Sequence, residues 1–160
     1  MKIAVVTDST AYLTKEEYAE YGIYVLPMSV IFGQETYREE IDITAEEFYA
    51  KVKSSPVFPT STQPAVGETY ELFRELAKDY DAIIPITISS GISGTYQTCV
   101  AVAEDMKDEI AIYPIDSEIS CAPQARAVKL AAIMAKSGEY SPEEIVETVQ
   151  RLVDRTTAYF

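Results

Sequence analysis

The chain has 160 residues, 48% of them hydrophobic, which is enough for one globular domain with its own core. A formal net charge of −13 gives a surface that repels DNA and RNA. With no histidine present, histidine-based general base catalysis, the Ser-His-Asp triad and most zinc sites are excluded.

The opening IAVVT (3–7) is a β-branched strand and not the charged-then-apolar pattern of a signal peptide, so the protein is expected in the cytoplasm. A helix follows over 14–22, with Thr14 and Glu17 in capping-box spacing and Gly22 as its stop. Residues 23–33 read as one strand, and 33–39 as a turn into a second. Thr44 and Glu47 open another capped helix over 44–52. Residues 57–68 (VFPTSTQPAVGE) read as a loop with two prolines, and 68–80 as an amphipathic helix with Leu72, Phe73 and Leu76 on one face. Then come a strand (DAIIPITI, 81–88), a helix from Ser93 to Lys107, a strand over 109–116 and an alanine-rich helix over 122–137. Ser141, Pro142 and Glu144 start a last helix over 141–155. TTAYF (156–160) looks like the beginning of another strand, which suggests part of a longer protein.

Strands alternating with helices predict a single α/β domain with a mainly parallel sheet and helices on both faces. No run of about 18 apolar residues occurs, so stable membrane insertion is not expected. Cys99 and Cys121 form no CxxC pair, and no disulfide framework is expected.

Ligands of open parallel sheets bind beyond the carboxyl ends of the strands. Here those ends carry Asp8-Ser9-Thr10, Ser89-Ser90-Gly91 and Asp116-Ser117. Helix capping accounts well for Asp8, Ser9, Asp116 and Ser117. The turn SSGISGTYQT (89–98) holds more than capping needs. Gly91 and Gly94 permit close backbone approach, the helix start offers unpaired N–H groups, and Ser90, Ser93 and Thr95 add hydroxyls. Without the lysine of a polyphosphate loop, such a cradle suits a single carboxylate or phosphate. Ser93 in G-I-S-G-T matches the nucleophile elbow only in part, with no histidine to activate it. A second cluster, PTSTQP (59–64), sets Thr60, Ser61 and Thr62 between two stiffening prolines. It reads equally as a loop capping the next helix and as a presenter of hydroxyls to the same anion.

Four stretches in order, VVTDSTAYL (5–13), LPMSVIFG (26–33), PTSTQPAVGE (59–68) and ISSGISGTYQT (88–98), together with Asp116-Ser117, resemble the DegV family over essentially the whole chain. These are the fatty-acid-binding proteins that serve bacterial fatty acid kinase. The resemblance implies the amino-terminal α/β domain of a two-domain protein. It implies a long-chain fatty acid as ligand, held at its carboxylate by Ser61 or Thr62 and by Ser93 with the Gly94 N–H. A partner kinase subunit would phosphorylate the bound carboxylate, so this chain would be no enzyme and need no cofactor. The family commonly shows Thr-Ser-Gln-Pro where this chain has Ser61-Thr62-Gln63-Pro64, so the order of the two hydroxyls is swapped. In the family, the second domain supplies further contacts near the carboxylate. Met28, Val30, Phe32 and Ile92 are candidate walls for the acyl chain, and plain core packing accounts for them as well. Two other readings are an enzyme acting on a small phosphorylated or carboxylated metabolite and a domain that folds but binds nothing alone.

Overall fold

Strand β1 (Ile3–Asp8) is buried along its whole length, and so is β6 (Ala82–Thr87), which pairs with it in parallel. Uninterrupted burial means that helices cover both faces of the sheet. In the computed structural model, which describes residues 1–157, β2 (Ile23–Leu26) lies on the other side of β1, also parallel. Two short strands, β7 (Ala111–Ile112) and β8 (Ile115–Asp116), share the outer edge of β6. The sequence predicts one strand there. The break falls at Tyr113-Pro114, beside Pro85 of β6, where two prolines each lack the N–H that a ladder needs.

Side chains alternate between two core layers. Ile3 and Val5 face a cluster with Ile84, Ile86, Val128, Ala131, Ile145 and Val149. That layer is built from α1 (Lys15–Tyr21), α5 (Cys121–Ser137) and α6 (Pro142–Val153). Ala4 and Val6 face Phe73 and Leu76 of α3 (Val66–Leu76), Cys99 and Val102 of α4 (Thr95–Asp105), and Met106 at the C-cap of α4. The predicted α/β class, mainly parallel sheet and helices on both faces are therefore observed. The capping boxes at Thr14–Glu17, Thr44–Glu47 and Ser141–Glu144 all form.

The sequence reading misses a second sheet. Residues 23–33 are not one strand. Pro27 interrupts the ladder, and the chain leaves the parallel sheet to form β3 (Ser29–Phe32). There β3 pairs antiparallel with β4 (Glu35–Arg38) and with β5 (Thr60–Thr62), a strand inside the segment read as a loop. Over it lies α2 (Ala45–Ser54), whose Phe48 and Val52 pack on Val30, Phe32 and Ile43. No residue of α2 is fully buried, so one face of this layer stays accessible. Helix α3 begins at Val66 and α4 at Thr95, slightly offset from the predicted limits. Of the predicted terminal strand, 158–160 lie outside the described residues, and Thr156 and Thr157 belong to no strand.

Candidate functional site

The carboxyl ends of β1, β6 and β8 meet at one rim, and most of their polar groups serve the fold. Asp8 accepts hydrogen bonds from the Ile88 N–H at 2.7 Å, the Thr10 N–H at 3.0 Å and Gln124 Nε2 at 3.3 Å. Asp116 Oδ1 accepts from the N–H groups of Ser90 at 3.1 Å and Glu118 at 2.9 Å. The buried Ser117 hydroxyl donates to the Ile119 carbonyl at 3.0 Å. These carboxylates clamp loops to strand ends, which is the capping role that their residue type favours.

Ser9 differs. It is buried, yet its Oγ accepts from the Met28 N–H at 2.9 Å and donates to Glu39 Oε2 at 2.6 Å. This joins the rim of the large sheet to the small one. Beside it lies a hollow of about 430 Å³, lined by Ser9, Val30, Glu39, Phe48, Phe58 and Ser61 among others. That volume falls within the ~300–1,000 Å³ of small-molecule pockets. Phe58 is 85% exposed and Tyr49 64% exposed, so the apolar wall continues out onto the surface. Burial raises the Tyr12 hydroxyl above its ordinary value, helped by Glu39 and then by Cys121.

The two predicted hydroxyl clusters adjoin. Ser61 is the middle residue of β5 and pairs with Val30, so it shares the face that lines the hollow. Thr62 pairs with Ser29 and, unlike Thr60 and Ser61, does not line the hollow; all three residues of β5 are exposed. Ser93 Oγ lies 2.9 Å from Thr95 Oγ1 and accepts from the Thr95 N–H at 3.3 Å. Gly94 is the N-cap of α4, and its N–H has no acceptor among the described residues. Ser93 and Gly94 are not walls of the 430 Å³ hollow.

Gln63 ties the clusters together. Its Nε2 donates to Thr98 Oγ1 at 2.9 Å, and its side chain fills the space that a Cβ on Gly94 would occupy. A Cβ at Gly94 would therefore displace the end of the Gln63 side chain, although the backbone angles there, φ −81° and ψ 4°, are ordinary. Thr95 Oγ1 also donates to Met28 Sδ at 3.8 Å, a second link from this turn to the small sheet. Of the candidate wall residues, Val30 lines the hollow, Met28 and Phe32 are core, and Ile92 is 71% exposed. Sequence reasoning missed Glu39, Tyr12, Phe48 and Phe58, whose convergence depends on the second sheet and α2. Among the described residues no cluster of acidic or cysteine side chains would hold a metal, and no helix is long and apolar enough to cross a membrane.

A family model described as "Uncharacterised protein, DegV family" matches residues 2–160. Protein DegV of Bacillus subtilis is 47% identical over 160 residues, covering 100% of this chain and 57% of that protein. The crystal structure of DegV, a fatty acid binding protein from Bacillus subtilis, superposes with TM-score 0.92 at 46% identity, over 96% of this chain and 54% of that one. A DegV family protein from Thermus thermophilus, described by its fatty acid binding, superposes at 0.87 with 27% identity, over 96% and 54%. The chain thus spans little more than half the length of these relatives.

Proposed function

The chain belongs to the DegV family, and on that premise we propose that it binds a long-chain fatty acid and presents the carboxylate to a separate fatty acid kinase subunit. One observation carries the reading: an apolar hollow walled by Val30, Ile43, Phe48 and Val52 opens beside the Ser61 hydroxyl, and Gln63, which follows that strand, packs against Gly94 and bonds Thr98 of α4. The apolar walls suit an acyl chain, at about 0.8 kcal/mol per buried methylene. The uncharged donors suit one carboxylate: the Ser61 and Ser93 hydroxyls and the free Gly94 N–H at the start of an 11-residue helix.

Its position on the hollow side of β5 favours Ser61 over Thr62 as the donor from that strand. The Ser/Gly turn 89–98 carries no lysine to hold a polyphosphate, which fits a binding role with the phosphoryl chemistry left to the partner. On the same reading, the relatives' greater length supplies a further domain that completes the carboxylate site.

Native mass spectrometry of the purified protein tests this. A retained long-chain fatty acid is the expected result, and a phosphate or nucleotide adduct would point instead to an enzyme. Ser61→Ala and Ser93→Ala should each weaken binding about 10- to 150-fold, through loss of a charge-assisted donor. Thr62→Val should leave binding unchanged. Equal losses at Ser61 and Thr62 would reject the assignment of the strand.

A further inference from the structure

We infer that Tyr12 is the partition between the ligand hollow and an adjoining surface groove, and that it sets the longest acyl chain the protein accepts. The inference rests on the fatty-acid reading and adds a specificity residue to it.

Tyr12 ends the 3-10 turn Ser9–Ala11 in a left-handed conformation, φ 51° and ψ 41°, with its N–H donating to the Ser9 carbonyl at 3.0 Å. A residue with a Cβ adopts this backbone only where its surroundings impose it. Here the turn is anchored on both sides of the ring. Buried Ser9 bonds to Met28 and Glu39, and Thr10 Oγ1 donates to Gln124 Oε1 of α5 at 2.9 Å. The ring is thereby set between two concave surfaces and lines both. On one side is the hollow with Val30, Phe48 and Phe58. On the other is a groove of about 630 Å³ between α1 and α5, with Leu13, Ala125, Leu130 and Ile133 on its walls.

Leu13, Ala125, Leu130 and Ile133 give the groove an apolar stretch, and of the charged residues around it Lys129 Nζ pairs with Glu17, while Arg126 is in no ion pair among the described residues. Tyr12 is itself 64% exposed, so the divider is a single ring with no packed layer behind it. A chain that outgrows the hollow meets this ring before it reaches further apolar surface. Removing the ring joins the two surfaces and gives terminal methylenes a place to bury.

The test compares wild-type protein with Tyr12→Gly, Tyr12→Asn and Tyr12→Phe, titrated with palmitic, stearic, arachidic and behenic acids. Glycine and asparagine both tolerate the left-handed backbone, so the fold should survive in at least one of them. Expected is a gain for the longer acids relative to palmitic acid in the Gly and Asn variants. It should reach up to about fourfold per added methylene. The Phe variant keeps the ring and should keep the wild-type ratios. Fatty-acid binding with unchanged chain-length ratios in the Gly and Asn variants would overturn the partition and leave the fatty-acid reading intact. Failure of every protein, wild type included, to bind any of the acids would overturn both.

Discussion

Gly94→Ala probes the joint between the two hydroxyl clusters. A methyl at Gly94 would overlap Gln63 Oε1 and lie 3.2 Å from its Cδ. The backbone at φ −81°, ψ 4° admits alanine, so the substitution adds no backbone strain. Gln63 must swing away and give up its bond to Thr98 Oγ1, a net loss of about 0.5–1.5 kcal/mol. Alanine is also a poorer N-cap than glycine, at a cost of roughly 0.5–1 kcal/mol. The sum, about 1–2.5 kcal/mol, corresponds to a fall in Tm of roughly 2–10 °C for a domain of this size. Thermal melts read the stability change, and ligand retention reads the uncoupling of Ser61 from the α4 turn. Thr98→Val removes the hydrogen bond without the clash and should reproduce that part of the effect alone, about 0.5–1.5 kcal/mol. Wild-type stability in Gly94→Ala, with the Gln63 side-chain amide resonances unmoved, would refute the close packing.

Two further outcomes follow from the titratable groups. Burial pushes the Cys99 thiol up to about 12, with Asp8 adding to the shift, whereas Cys121 is exposed. A thiol reagent at mild alkaline pH should modify one cysteine per folded chain and the second only after denaturation; two fast reactions would contradict the burial of Cys99. At Asp42, the Arg38 side chain and then the Arg38 N–H hold the carboxyl down to about 2, from an ordinary 3.8. Because the folded value is depressed, what the pair contributes is complete above the ordinary value and fades as pH falls towards 2. The pair is exposed, so a carboxyl titration followed by NMR is the measurement of choice. Arg38→Gln should return the midpoint part of the way to 3.8, and an unmoved midpoint would exclude the side chain as the cause.

What was legible in the sequence was local. Thr14 with Glu17, Thr44 with Glu47 and Ser141 with Glu144 announce helix starts because both partners lie within one turn. The alternation of strand and helix likewise implied the parallel sheet. The second sheet was hidden because nothing local marks it. Residues 23–33 are one apolar run, and only Pro27 hints that its halves serve different sheets. β5 has three exposed hydroxyl residues and no apolar alternation, so its strand character comes from pairing with Ile31, Val30 and Ser29 some thirty positions away. The Ser/Gly composition of 89–98 flagged Gly94, while the reason for a glycine there, the approach of Gln63, is again long-range. Glu39 and Tyr12 carried no signal of their own, since each gains its place at the hollow from contacts between distant segments.

The position of Glu39 also bears on which way an acidic ligand would lie. Glu39 and Glu40 both line the hollow. Two like charges about 4 Å apart near a protein surface repel by roughly 4 kcal/mol at an effective dielectric of 20. A hydroxyl donor to a carboxylate returns about 1.5–3 kcal/mol. Repulsion therefore outweighs any single hydrogen bond that Ser9 could offer, and Ser9 already donates to Glu39. A carboxylate is driven away from that corner and towards donors with no acid beside them. On the proposed reading the Ser93–Gly94 opening suits the carboxylate better, since the first turn of α4 has no acidic residue and Asp116, at Ser90 of the same turn, is engaged by the N–H groups of Ser90 and Glu118.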